Sequence, residues 1–518
     1  MAAETLSEIL ARNVAASPRA AAVTDGQGSL DWQNFATLAQ GYAALLAHQG
    51  VAAGDRVALW LPNSIDYFAL IFACARLGAT AIHVNTRFRT AEVGYLLKRS
   101  RAEVLVTAFG FAPVDFAALL EAIPAEERAS LRVVIGRHAT ASHVAGLPLL
   151  RLEPDGEIGD FATPDAPCLT FTTSGTTSGP KLVLHHQRSI ATHAGAVAPV
   201  IGTDRPGSAL LAAVPLCGTF GQALALGAAA GGAHIVFIEQ FDGGAAEALI
   251  RRHKITHTGG SDDMLARICQ AAEGRSFESL VFSAFASFTP TAAQTVAEAD
   301  RLGMQPRGVY GSSEMQAIFA VAPDARRLVD GGDPVSPETE LSVRDPETGE
   351  IVAEGADGEL CLRAPSMFAG YLDDPAATAR AMTTDGMFRT GDLARRAGKG
   401  FIFKTRIGDS LRLGGFLVNP EEIESFLQSL PGVAAAQVVA AEHGGERSAF
   451  AFIRAGGDVA PQEETILAAC RKALARYKQP VRAVTLDAFP VTESPNGTKI
   501  QRVKLRQMAN EILAAMRA

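Results

Sequence analysis

Short apolar runs alternate with helical stretches along the first part of this chain, and no other feature constrains its fold as tightly. Val57–Leu61, Ala79–Val84 and Val104–Val106 read as strands, with helices expected over Tyr67–Leu77 and Ala91–Arg99. A helix over residues 5–16 presents Leu6, Ile9, Leu10 and Val14 at helical spacing, and Pro18 stops it. The alternation recurs around 208–214, 234–238 and 280–282. Strands separated by helices are joined by crossovers, the connection that parallel pairing requires. From about residue 340 the texture changes. Leu341–Arg344, the turn Asp345–Gly349 and Gly358–Arg363 predict β-hairpins. After Arg406 a further unit is expected. Its helices lie over Pro420–Leu427, with proline in the first turn, and over Thr465–Ala475; its strands lie over Val433–Ala441 and Ala449–Ile453. The expected fold is α/β. A large N-terminal domain, 1–408, combines α/β subdomains with a β-rich one, and a small α+β domain, 409–518, follows a boundary at Asp409.

Charge and cysteine usage exclude several classes. The formal charge is −8 and no Lys/Arg block occurs, so nucleic acid is not an expected partner. Cysteines 74, 168, 217, 269, 361 and 470 make no CxxC pair and no metal-ligand spacing, and read as buried thiols in a reducing compartment. The N-terminal segment carries acids where a signal peptide carries bases. The longest apolar stretch, Ala223–Ile238, is interrupted by Gly227, Gly231, Gly232 and His234, and is too short for a membrane span of roughly 20 residues. A cytoplasmic protein is expected.

The segment from Thr170 to Lys181 carries the strongest chemical signal. Thr173, Ser174, Gly175, Thr176 and Thr177 precede Ser178, Gly179, Pro180 and Lys181. Glycines let backbone amides turn toward an anion, hydroxyls add donors, and the lysine adds a full charge. A Walker A loop is not matched. By its own chemistry the loop says only that a polyanion binds; a flexible linker is the bland alternative.

This loop resembles the phosphate-binding loop of the adenylate-forming superfamily, which comprises acyl- and aryl-CoA synthetases, peptide-synthetase adenylation domains and luciferases. Only the Ser178-Gly179 order departs from the family pattern. Further motifs follow in family order across nearly the whole chain. Val309–Glu314 resembles Y-G-x-T-E. That likeness implies that Tyr310 stacks on adenine beside Gly311, that Ser313 contacts the α-phosphate, and that Glu314 helps hold Mg²⁺. Phe388–Asp392 resembles W/F-x-T-G-D, which makes Asp392 the acceptor of both ribose hydroxyls. Thr405–Asp409 resembles G-R-x-K-D, with Thr405 and Gly408 departing; it implies that Arg406 reaches ribose or phosphate and that Asp409 is the interdomain hinge. Pro490–Arg502 resembles the family's C-terminal lysine motif in a longer loop, with Thr498 inserted before Lys499. Lys499 is then the residue that joins the substrate carboxylate to the α-phosphate. Gly414, Gly415 and Phe416 lie by resemblance on the face that admits the thiol of coenzyme A. Taken alone, each of these motifs is also compatible with a surface turn, an ion pair or a solvated lysine.

The resemblance implies ATP, Mg²⁺ and coenzyme A as cofactors and a small carboxylic acid as substrate; a homodimer stays open. Asn85–Glu92 looks like a segment common in acyl-CoA synthetases. No acid stands in Cys217–Gly221 to receive an amino group, which disfavours amino-acid substrates. Gly218 replaces a family histidine and Phe285 a family glycine. With Phe220, Ser283 and Ala284 they predict an acyl pocket opened at 218 and walled at 285, suited to an aryl or cyclic acid; compensated packing with no change of substrate is the alternative. Three functions compete: an acid–CoA ligase, a ligase loading a carrier-protein thiol, and an inactive homologue that only binds.

Overall fold

The computed structural model describes residues 4–173, 180–286, 292–323, 331–407, 411–413, 416–418, 420–443, 446–457, 461–474, 476–494 and 497–516. They form two compact units. The first comprises Met1–Leu341, Cys361–Phe388 and Gly398–Gly400; the second comprises Ser342–Leu360, Arg389–Ala397 and Phe401–Ala518. No helix among the described residues is long and apolar enough to cross a membrane.

Two nine-stranded sheets organise the first unit. In one, the strands Pro167–Thr173, Thr80–His83, Arg56–Trp60, Val104–Ala108, Val133–Arg137 and Leu147–Arg151 run parallel in that spatial order. In the other, Pro306–Ser312, Phe282–Ala286, His257–Ser261, Ala209–Ala212, His234–Phe237 and Ala21–Asp25 do the same. Antiparallel strands finish the edges of both. The helices between them are placed by local signals. Ile65–Leu77, for example, starts where the Ser64 hydroxyl accepts the Tyr67 amide and stops at Gly78, whose φ is +68°. Nearly every residue of that helix is buried, which explains its lack of a polar face.

The expected alternation is present, with one displacement. The strand anticipated at 280–282 runs instead over Phe282–Ala286. Val281 is 51% exposed, whereas Phe282 through Phe285 are buried. This strand is covered on both faces, so its sequence lacks the alternation that marks a strand with one face in water. Phe282 and Ala284 join the main core cluster, and Phe285 joins a second cluster with Leu211, Ile250 and Leu265.

The second unit holds most of a four-stranded sheet built from Glu340–Arg344, Asp357–Arg363, Phe388–Ala397 and Gly400–Arg406. Beyond it, Val433–His443, Glu446–Ala455 and Ala483–Thr485 form a three-stranded sheet. One face packs with the helices Pro420–Gln428 and Glu463–Ala473, and the other with Arg502–Ala515. The extended segment before Arg502, expected as a loop, is a hairpin that pairs Val491 with Ile500 and Thr492 with Lys499. Asp409, Gly414 and Gly415 lie outside the described residues; Phe416 opens the short strand Phe416–Val418.

The helix Thr219–Ala230 is seated by one close approach. A Cβ on Gly221 would lie 2.3 Å from the Pro215 carbonyl oxygen and 2.6 Å from that of Val214. Alanine gains about 1 kcal/mol in helix propensity, but backbone atoms cannot yield as a side chain can. Gly221→Ala is expected to lose about 1–3 kcal/mol of stability, read as a lower urea midpoint.

Candidate active site

The loop predicted to bind phosphate joins two antiparallel strands, Pro167–Thr173 and Lys181–His186. They pair in register, with Thr173 opposite Lys181 and Phe171 opposite Val183. The structure thus brings both ends of the loop together at the sheet. Ser174, Gly175, Thr176 and Thr177 lie outside the described residues.

A second hairpin lies close to the first. Its strands are Pro306–Ser312 and Gln316–Val321, with Tyr310 opposite Ala320 and Ser312 opposite Gln316. A Cβ on Gly311 would lie 2.4 Å from the Gln316 carbonyl oxygen, so this crossing of backbones admits only glycine. Ser313 and Glu314 occupy the turn. Two buried histidines tie the hairpin down. His185 Nε2 lies 2.8 Å from the Ser313 carbonyl oxygen, and His193 Nε2 lies 2.8 Å from that of Ala317. Burial pushes both imidazoles down to about 4, so each is neutral and donates its Nε2–H.

The two hairpins meet through Tyr371, a residue the sequence reading missed. Tyr371 belongs to the short strand Gly370–Tyr371, which pairs antiparallel with Val183 and Leu184. Its ring lies beneath the Lys181 ammonium, 4.5 Å from Nζ to the ring centre. Its hydroxyl donates to Glu314 Oε1 at 2.9 Å. The Phe368 amide donates to the Glu314 carbonyl at 2.7 Å. Burial, then the Glu314 charge, raise the Tyr371 phenol well above its ordinary range, so it remains a donor.

The second unit assembles its own pair. Arg406 Nε lies 2.8 Å from Asp392 Oδ1; the arginine side chain is 57% exposed and the aspartate only 3%. The turn before Asp392 is fixed at several points. Gly391 has φ +70°, Thr390 Oγ1 accepts the Asp392 amide, and Glu359 receives both the Gly391 amide and the Arg389 guanidinium. Glu359 and Arg389 were also missed. Lys499 lies on the strand Gly497–Ile500, opposite Thr492.

Residues 10–372 match the family of AMP-binding enzymes, and residues 422–495 match the AMP-binding enzyme C-terminal domain. The chain belongs to this family. It is 30% identical to 2-hydroxy-7-methoxy-5-methyl-1-naphthoate–CoA ligase of Streptomyces carzinostaticus, over 96% of this chain and 91% of that one. It is also 30% identical to an octahydro-dioxo-indenyl-propanoyl:CoA ligase of Rhodococcus jostii, over 94% and 95%. The solved o-succinylbenzoate–CoA synthetase of Bacillus subtilis in complex with AMP shares the fold, with a TM-score of 0.78 at 23% identity over 96% and 98% of the two chains. This AMP-binding enzyme is an AMP-forming acid–thiol ligase that uses ATP and coenzyme A.

One part of the expected acyl pocket needs correction. Gly218 caps the helix Thr219–Ala230, and a Cβ there would meet only the Pro215 carbonyl oxygen, at 3.7 Å. Leu224 of that helix reaches the Gly259–Ala284 face of the sheet. Phe285 is on the opposite face, in the second cluster. Gly218 and Phe285 therefore do not wall one pocket, because successive strand residues point to opposite sides. Phe220 is partly buried against the main cluster, as Ala284 is fully; Ser283 donates to the Met304 carbonyl at 2.6 Å.

The buried histidines give a pH dependence. Between pH 6.5 and about 4 the unfolded chain binds protons that folded His185 and His193 refuse. Stability then rises with pH across this window and is lost as pH falls through it. The urea midpoint is expected to drop from pH 7 to 4.5, and to drop less steeply in His193→Gln, which retains a donor for Ala317 but does not titrate.

Proposed function

We propose that Lys181, Glu314, Asp392, Arg406 and Lys499 divide the handling of ATP during adenylation of a cyclic or aryl carboxylic acid. The observation that carries this reading is the junction of Lys181, Tyr371 and Glu314. It holds a cation at the end of a glycine- and hydroxyl-rich loop beside a carboxylate fixed by hydrogen bonding. Lys181 meets the outer phosphates. Tyr310 offers its ring to the base and Ser313 its hydroxyl to the α-phosphate. Asp392 accepts the ribose hydroxyls, with Arg406 beside it.

A single oriented carboxylate suits Mg²⁺, which keeps most of its waters and arrives with nucleotide phosphates rather than in an all-protein cage. Glu314 is the residue that would hold it, and the ion would neutralise phosphate charge.

The substrate carboxylate attacks the α-phosphorus and pyrophosphate leaves. Two anions must meet, so a cation at the meeting point lowers the barrier most. Lys499 supplies that charge. The C-terminal domain then turns about Asp409, withdrawing Lys499 and presenting Gly414, Gly415 and Phe416 to the pantetheine arm. The carboxylate is already ionised at neutral pH, so no general base is needed. The work is done in the cytoplasm, where ATP and coenzyme A are available.

Lys499→Ala is expected to cut acid-dependent pyrophosphate release by about a hundredfold or more, while thioester formation from a supplied acyl-adenylate continues. Retention of both half-reactions would remove Lys499 from the site. Release of pyrophosphate without a CoA thioester, across a panel of acids, would overturn the acceptor. The acyl pocket is tested separately. Gly218→His is expected to lower kcat/KM for fused-ring and aryl acids about tenfold relative to straight-chain acids; unchanged ratios would sink the assignment of 218 to the pocket.

A further inference from the structure

Lys181 and Glu314 carry opposite charges at either end of one tyrosine, yet among the described residues they form no ion pair with each other. A lysine side chain has a long, flexible stem, and nothing in its own chemistry stops it folding onto a nearby carboxylate. The Tyr371 phenol contacts both. Its face takes the ammonium and its hydroxyl takes Glu314 Oε1. We propose that Tyr371 is a positioning residue that keeps Lys181 and Glu314 apart, so that the two do not neutralise each other before nucleotide binds and both charges stay available to it.

The tyrosine is well placed for this role. Its backbone is paired to Val183, two residues from Lys181, so ring and ammonium ride on neighbouring strands. Its amide donates to Thr378 Oγ1 at 2.9 Å, and Phe368 packs edge-on against its ring with 5.2 Å between centres. Phe368 in turn donates its amide to the Glu314 carbonyl. The spacer and both charges it separates are therefore fixed to one framework. A cation–π contact suits the task because it holds the ammonium without cancelling its charge. A single hydrogen bond to one carboxylate oxygen orients Glu314 and leaves coordination capacity on the carboxylate.

This inference rests on the ATP reading above, and the test separates the two. Binding of an ATP analogue with a methylene bridge between the α- and β-phosphorus is measured by calorimetry, in chelator and with Mg²⁺ titrated in. Tyr371→Phe keeps the ring and loses the hydroxyl. Its affinity in chelator is expected within about twofold of the parent, with the Mg²⁺ concentration for half-maximal enhancement raised about fivefold. Tyr371→Leu removes both contacts, and its affinity in chelator is expected to fall about tenfold as Lys181 closes on Glu314. Adding Glu314→Gln to Tyr371→Leu takes away the competing anion, and affinity in chelator is expected to recover to within about threefold. Loss of packing alone would not be repaired that way. The proposal is overturned if Glu314→Gln restores nothing, or if Tyr371→Leu binds as the parent does. Should Tyr371→Leu fail to fold, an unchanged Mg²⁺ requirement in Tyr371→Phe overturns it. Failure of the parent protein to bind the analogue overturns the ATP reading itself.

Discussion

The two-residue strand Gly370–Tyr371 is the contact that joins the hairpins carrying Lys181 and Glu314. It pairs with Val183 and Leu184, and the flanking amides of Ala369 and Leu372 donate to Leu184 and Leu182. Four backbone positions thereby return a distant segment of chain to the strand that ends the phosphate loop. Each such bond adds little net stability, on the order of 1 kcal/mol. Their value is geometric, since they fix the register of the short strand against Lys181–His186. Once the strand is docked, Tyr371 faces Lys181 and Glu314 with no further adjustment, and Phe368 closes the loop by binding the Glu314 backbone.

Histidine burial serves the same end. His185 and His193 occupy positions where a carbonyl of the second hairpin needs a donor deep in the core. Burial keeps both rings neutral, and the tautomer that carries the proton on Nε2 donates to the carbonyl. The hairpin's backbone also crosses itself closely at Gly311, so its shape is set by sterics as well as by hydrogen bonds. A turn that presents Ser313 and Glu314 is thus held from behind by groups that never meet solvent.

What was legible in the sequence follows from whether its cause was local. Helix caps such as Ser64 and Gly78, and motifs whose residues are contiguous, could be read directly because residues a few positions apart determine them. The family was legible for the same reason: its signatures are short and ordered along the chain. Tyr371 was invisible because its partners lie 190 and 57 positions away in sequence, and a tyrosine after a glycine carries no chemical label. Glu359 and Arg389 escaped likewise. Phe285 was misjudged because identity alone does not say which way a strand residue points.

Asp392, which is buried, and Glu314, which is half-buried, are satisfied in opposite ways, and the contrast bears on what each can do. Asp392 is held against the Arg406 guanidinium, a pairing that offsets its charge as well as orienting it. Glu314 is held by a neutral phenol, which orients it and leaves its charge intact. A carboxylate that receives neutral sugar hydroxyls loses nothing by having a cation at its side, because hydroxyl donors need only lone pairs. A carboxylate that receives a divalent cation must keep its charge, since that charge is the main source of affinity for a hard ion. Under the roles proposed above, exchanging the two arrangements would spoil both: an arginine on Glu314 would compete with a metal, and a lone phenol on Asp392 would leave an uncompensated charge at a nearly fully buried position. The partner that each acid has is thus the one its proposed role calls for.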